Sequence, residues 1–150
     1  MSGYKPKLYV AGKFADGSYV NKYISSLEAL GYTITHNWTN VEDFKEHTKD
    51  ELAKYAAADI DGVAAADYLI VIITDPTYPY RGSCSELGAA LALKKKVFVL
   101  YDLPKESTGY YSNIFAKHAL VSNFSSISDL IAAIEQYCAQ CHESLGEGYA

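Results

Sequence analysis

Three acidic residues, Asp16, Asp59 and Glu86, are spaced so that one α/β fold would gather them. Asp16 follows a short apolar run, Lys7-Leu8-Tyr9-Val10-Ala11. Asp59 falls late in a helical pattern, and Glu86 stands at the start of another, Ser83-Cys84-Ser85-Glu86-Leu87-Gly88. An ionised carboxylate aimed into a concave site is a competent nucleophile for an acetal-like carbon. Glycosyl chemistry needs that group together with an acid that protonates the leaving group. The first turn of a helix favours a carboxylate as the anion, and Glu86 is expected there. The same placement suits an acid that serves the helix dipole alone. From spacing by itself, that plainer role outweighs catalysis.

The elements that would position these groups follow from periodicity. Tyr68 to Thr74 is a continuous apolar strand signal, Asp75 to Gly82 is a turn-rich loop, and the Glu86 helix follows. Together they make half of a βαβ unit. Lys7 to Ala11 reads as a first strand, and Gly12 to Gly17 as the loop at its carboxyl end. From Ser18 the residues Tyr19, Val20, Tyr23, Ile24, Leu27 and Leu30 recur at helical spacing, with Gly31 as C-cap. Tyr32 to Trp38 is expected to be a second strand, and Asn40 to Glu46 an irregular polar segment.

A second helix is expected from about Lys49 to Ala66, with Leu52, Tyr55, Ala56, Ile60 and Val63 on its apolar side. Lys96 to Tyr101 and Ala119 to Val121 are the fourth and fifth strands, joined by a loop from Glu106 to Phe115. Ser126 to Cys138 is a terminal helix with Ser125 or Ser126 as N-cap, and Glu143 to Ala150 an irregular tail. Alternating strands and helices predict a parallel sheet with helices on both faces. The expected fold is flavodoxin-like and doubly wound, five strands in the order 2-1-3-4-5. That order turns the loops after strands 1 and 3 toward one crevice.

Composition narrows the function classes. The 150 residues suit a single domain, and a net charge of −5 disfavours nucleic acid as a partner. The basic run Lys94-Lys95-Lys96 reads as a helix C-terminus. Met1 to Lys7 is polar with no apolar stretch behind it, and Tyr68 to Ile73 is too short to cross a bilayer. No membrane association is expected, and a reducing cytoplasm is the expected location for a chain with three cysteines. Cys138-Ala139-Gln140-Cys141-His142 matches a haem-attachment spacing, but chance at the end of an amphipathic helix explains it better. His36, His47 and His118 form no ligand pair for zinc. Cys84 reads as a small residue lining the crevice. The Gly12 to Gly17 loop lacks dinucleotide-binding glycine spacing.

The chain resembles the nucleoside 2-deoxyribosyltransferase superfamily, which includes 2'-deoxynucleoside 5'-phosphate N-hydrolases. Leu8 to Asp16 is similar to the family's opening strand and loop, and Asp59-Ile60-Asp61-Gly62-Val63 with Ala66-Asp67 to its second motif. Gly82 to Leu93 is similar to its third and most specific motif, and Ser112-Asn113-Ile114-Phe115 is loosely similar to a fourth. The resemblance implies that Glu86 attacks the anomeric carbon of a deoxyribose and forms a covalent glycosyl-enzyme. It implies that Asp59 moves a proton to the leaving base, with Asp61 as competitor, and that Tyr9 orients the nucleophile. Gly12, Phe14 and Asp16 fall where the family contacts the nucleoside. Asn113 corresponds to a residue lent by a neighbouring subunit, so a homo-oligomer with shared sites is implied. No cofactor or metal is asked for.

The loop before the third motif departs from the family. Transferases often carry an acid about six positions before the nucleophile, and here that position is Tyr80, followed by Arg81 and Gly82. Tyr78 or Tyr80 would stack on a base or simply pack the loop. Arg81 would bind a 5'-phosphate or lie on the surface. The expected partners are therefore a deoxynucleoside or deoxynucleotide and a free base. The catalytic pair serves transfer and hydrolysis alike. A non-catalytic nucleotide-binding module on the same fold is the rival from another class.

Overall fold

The computed structural model describes residues 4–41, 46–104 and 113–147, with side chains described as far as residue 142. The expectations for residues 42–45, for most of the Glu106 to Phe115 loop, for Ser112 and for the last three residues lie outside them.

The centre of the molecule is β3 (Tyr68–Ile73), whose six residues are all buried. A strand covered on both faces needs apolar side chains at every position, and Tyr-Leu-Ile-Val-Ile-Ile supplies them. It pairs in parallel with β1 (Lys7–Ala11), from Leu8 opposite Tyr68 to Ala11 opposite Val71. On its other side it pairs with β4 (Lys96–Tyr101), from Tyr68 opposite Lys96 to Ile73 opposite Tyr101. The short β2 (Thr33–Ile34) and β5 (Val121–Phe124) form the edges, giving the five-stranded order 2-1-3-4-5. This is the expected doubly wound α/β sheet.

The helices are α1 (Gly17–Ala29), α2 (Lys49–Ala65), α3 (Arg81–Ala92) and α4 (Ile127–Glu147). Right-handed crossovers place α1 on one face and α2 and α3 on the other, where α2 and α3 touch each other. The α1 stripe buries Val20, Ile24 and Leu27. Its two tyrosines, Tyr19 and Tyr23, both donate to Asp102 beyond β4. Gly31 takes φ +95° after the helix, as its expected capping role requires. Ser126 caps α4 by accepting from the Asp129 amide at 3.1 Å.

Several boundaries depart from expectation. The second strand stops at Ile34, well short of Trp38. The chain there turns inward because the Trp38 indole donates to the Val10 carbonyl at 2.7 Å, and Asn37 caps the short turn Trp38–Asn40 by accepting from Thr39. The fifth strand begins at Val121, because Ala119 and Leu120 belong to a turn closed by the Val121 amide on the His118 carbonyl. The terminal helix continues through Glu147, since its Leu130, Ile134 and Cys138 stripe meets no breaker at Cys138. The helix carrying Glu86 starts at Arg81, two residues earlier than Ser83. Helix α2, fixed by a Thr48–Glu51 capping box, leaves Leu52, Ala56 and Ile60 exposed and buries Gly62 and Val63. Among the described residues, no helix is long and apolar enough to cross a membrane.

Candidate active site

The carboxyl ends of β1 and β3 open on a cleft of about 130 Å³. Gly12 and Phe14 enter from the loop after β1, and Trp38 from the turn after β2. Asp59 enters from α2, and Tyr78, Tyr80, Gly82, Ser83 and Glu86 from the loop and helix after β3. A larger cavity of about 470 Å³, bounded by Tyr4, Tyr32 and α4, lies at the opposite end of the sheet. Parallel sheets bind ligands at the carboxyl ends of their strands, so chemistry belongs to the smaller cleft.

Glu86 sits in the second turn of α3, and the first turn carries no acid. The expected dipole stabilisation of its anion is therefore weakened, and burial governs instead. Burial pushes its pKa up to about 7; the Tyr9 hydroxyl draws it down and the Asp59 charge raises it further. Tyr9 is fully buried in β1. Burial foremost, then Glu86 and Asp59, hold its phenol protonated far above the ordinary range. It can only offer a proton toward the carboxylates.

Asp59 is also raised above the ordinary carboxylate range, by burial against the opposing pull of His36. His36 Nε2 stands 3.3 Å from Asp59 Oδ1. Asp61, the competitor, is exposed and turned away from the cleft. Among the described residues, Tyr9 Oη, His36 Nε2 and Glu86 Oε2 are buried side-chain atoms without a well-formed hydrogen bond. Buried polar groups are normally satisfied, so such a cluster fits a site prepared for a bound molecule.

This proximity depends on Gly62, one turn after Asp59. A Cβ there would lie 2.8 Å from His36 Cβ and 2.9 Å from the Tyr9 ring. Gly62→Ala gains helix propensity but must displace two packed side chains. It is expected to destabilise the fold by about 1–3 kcal/mol and to lower any activity, read by urea unfolding and turnover together. Gly12 is similarly confined, since a Cβ would meet Val20 Cγ2 at 2.8 Å.

The loops around the cleft are tied to each other. Thr74 donates to Asp16 at 2.8 Å, Lys13 pairs with Asp75 at 3.0 Å, and Ser83 donates to the Gly12 carbonyl at 3.3 Å. Tyr80 precedes α3 with φ 52°, a left-handed conformation uncommon for an aromatic residue. Its hydroxyl accepts from the amides of Thr74 at 2.8 Å and Asp75 at 3.0 Å. Tyr80 is buried and braces the loop, which is the packing role of the two open to it in the sequence. Tyr80→Phe would strand those two amides. It is expected to cost about 1–3 kcal/mol in chemical denaturation.

The remaining expected residues divide. Tyr9, Gly12, Phe14, Asp59, Gly82 and Glu86 are brought together. Asp16 is engaged with Thr74, and Arg81 is exposed; neither lines the cleft. Asn113 lies outside its own chain's cleft, where its Oδ1 accepts from the Phe115 amide and its Nδ2 donates to Cys84 Sγ at 3.5 Å. Cys84 faces Asn113 and the Pro79 carbonyl instead of lining the crevice, and burial raises its thiol pKa. Trp38, Ser83 and His36 were not expected at the site. The signal for two of them was the segment Thr35-His36-Asn37-Trp38 at a strand's carboxyl end, obscured by reading the strand through to Trp38.

The sheet order and the carboxylates at its switch point define a doubly wound α/β protein with an acidic cleft at the carboxyl ends of its strands. The chain belongs to the nucleoside 2-deoxyribosyltransferase family, whose model matches residues 8–142. Solved structures that share the fold include these three. A 2-deoxyribosyltransferase of Bacillus psychrosaccharolyticus is 23% identical, with TM-score 0.66 over 83% of this chain and 89% of that one. A conserved protein of Enterococcus faecalis V583 is 21% identical, with TM-score 0.60 over 89% and 99%. A CMP N-glycosidase of Clostridium botulinum is 20% identical, with TM-score 0.53 over 87% and 98%. No curated protein matches the chain significantly.

Proposed function

We propose that the protein cleaves and transfers the N-glycosidic bond of 2'-deoxyribonucleosides through a covalent glycosyl-enzyme on Glu86. The observation that carries this reading is the convergence of Glu86 and Asp59 in one aromatic-walled cleft, with the buried Tyr9 phenol facing both carboxyl groups from behind it. As the C1'–N bond breaks, its electron pair leaves with the base, which takes the Asp59 proton. A Glu86 oxygen stabilises the developing oxocarbenium and bonds to C1'. Tyr9 directs its hydroxyl toward the carboxylate and holds it for attack. A second base, or water, then bonds to C1' on the vacated face. Its proton passes to Asp59, and the Glu86–C1' bond breaks. Phe14, Trp38 and Tyr78 supply faces against which a base can pack.

The site is proposed to work in a homo-oligomer. Leu52 and Ile60 on α2 and Leu93 after α3 are exposed apolar side chains, and Ile114 and Phe115 are 72% and 57% exposed beside Asn113. Such surface fits a subunit contact. The test of function mixes a deoxynucleoside with a second free base. A new nucleoside supports transfer, free base alone supports hydrolysis of the same bond, and neither product removes the proposal. Repeating the assay with the 5'-monophosphate and with Arg81→Ala shows whether that arginine reads a phosphate.

A further inference from the structure

His36 has no part in the reaction as written above. It stands just after β2, and the residue before it, Thr35, is fastened on two sides. The Thr35 amide donates to the Leu8 carbonyl at 2.9 Å, and the Thr35 hydroxyl donates to the Gly62 carbonyl at 2.6 Å. The exit of β2 is thus bound to β1 and to α2. Gly62 lies three residues after Asp59 and so shares its helix face. Its missing Cβ is what admits His36, whose own Cβ would otherwise be 2.8 Å away.

The outcome is a ring held with Nε2 at 3.3 Å from Asp59 Oδ1. That nitrogen is shielded from solvent and forms no well-aligned hydrogen bond, yet the side chain as a whole is 31% exposed. One edge of the imidazole therefore meets the carboxylate while another part of the ring meets water. Imidazole is the side chain best suited to accept and release a proton near neutral pH. The other titratable groups facing Asp59 are Tyr9 from β1 and Glu86 from α3. Tyr9 stays protonated, and Glu86 must be free to attack, so neither can share the proton that Asp59 passes on.

We propose that His36 is the positioning residue of Asp59, holding its carboxyl group toward the leaving base and sharing one proton with it through Nε2. This rests on the reading of Asp59 as the acid. In the first half-reaction the shared proton passes from Nε2 to Asp59 and on to the base as the C1'–N bond breaks. In the second half-reaction the acceptor loses its proton to Asp59, and Nε2 takes it back. The proton count closes over the cycle, and no further reactant is needed.

The test compares two substrates that differ in their need for an acid. One is a purine 2'-deoxynucleoside; the other is its N7-methylated counterpart, whose cationic base leaves without protonation. His36→Phe is expected to lower kcat on the first by about 10–100-fold, with KM nearly unchanged, and to leave the second almost untouched. His36→Gln keeps an N–H beside Asp59 but cannot pass a proton, and is expected to fall between. It also covers the case in which the phenylalanine variant fails to fold. Equal losses on both substrates in His36→Gln would mean a purely structural role and overturn the proposal, as would no loss on either. Asp59→Asn on the same pair separates the two layers. Selectivity in Asp59→Asn without selectivity at His36 overturns this inference alone, and no selectivity in Asp59→Asn overturns the reading beneath it as well.

Discussion

Glu86→Gln is expected to reduce kcat/KM by about 10⁴-fold or more, because it replaces the proposed carboxylate nucleophile with a neutral amide. The same change is expected to make the protein more stable. Glu86 titrates at about 7 in the folded chain against an ordinary value of 4.5. Between those pH values the folded state keeps a proton that the unfolded chain has released, so this group withdraws stability as pH rises from one to the other. At about 1.4 kcal/mol per pH unit, the ionised Glu86 costs roughly 3 kcal/mol at pH 8. Glutamine carries no such cost. Urea unfolding should therefore show Glu86→Gln more stable by about that amount at pH 8, with the gain fading toward pH 4. A nucleophile held at the expense of the fold is what an active site, unlike a surface helix acid, would show.

Asp59→Asn is expected to lower kcat by about 10²–10⁴-fold for bases that need protonation, and to change the shape of the pH profile. Both carboxyl groups are raised by burial, and the Asp59 charge contributes to the rise at Glu86. Their apparent pKa values therefore belong to the pair. The proposed reaction uses the singly protonated pair in the form with the proton on Asp59 and the charge on Glu86. Once both groups are ionised that form is gone, so wild-type kcat/KM should fall on the alkaline side. In Asp59→Asn no acid remains to be lost and Glu86 need only be ionised. Residual activity should then rise with pH to a plateau. The midpoint should lie below the wild-type alkaline limb, because the neighbouring charge that raised Glu86 is gone. Parallel profiles for the two proteins would contradict the assignment of Asp59 as the acid.

The central sheet was legible in the sequence because its strands are covered on both faces. Tyr68 to Ile73 and Val97 to Tyr101 are buried at every position, and unbroken apolar runs leave little choice of boundary. Glu86, Asp59 and Tyr9 could be named because their motifs are local and ordered. What escaped depends on contacts distant in sequence. Trp38 turns the chain off β2 by bonding to Val10, a contact that no pattern between residues 32 and 38 announces. Tyr80 occupies a left-handed position without the glycine that usually marks one, so the start of α3 at Arg81 was hidden and Glu86 was placed a turn too early. The apolar spacing of α2 suggests a core face, but Leu52 and Ile60 remain outside, on the surface proposed above as a subunit contact. In the sequence His36 is one of three scattered histidines that form no ligand pair for zinc. Its meaning comes from Gly62, which has no side chain and so leaves no polar signature at all.

The central claim is a covalent bond between Glu86 and the sugar. The direct measurement is mass spectrometry of protein digested after rapid acid quench during turnover of a 2'-deoxynucleoside. A 2-fluoro-substituted sugar, whose fluorine slows release of the intermediate, provides the trapped form. The predicted result is one deoxyribosyl group on the peptide that contains Glu86, absent from Glu86→Gln. Product formation with that peptide unmodified, or with the sugar on another residue, would contradict it.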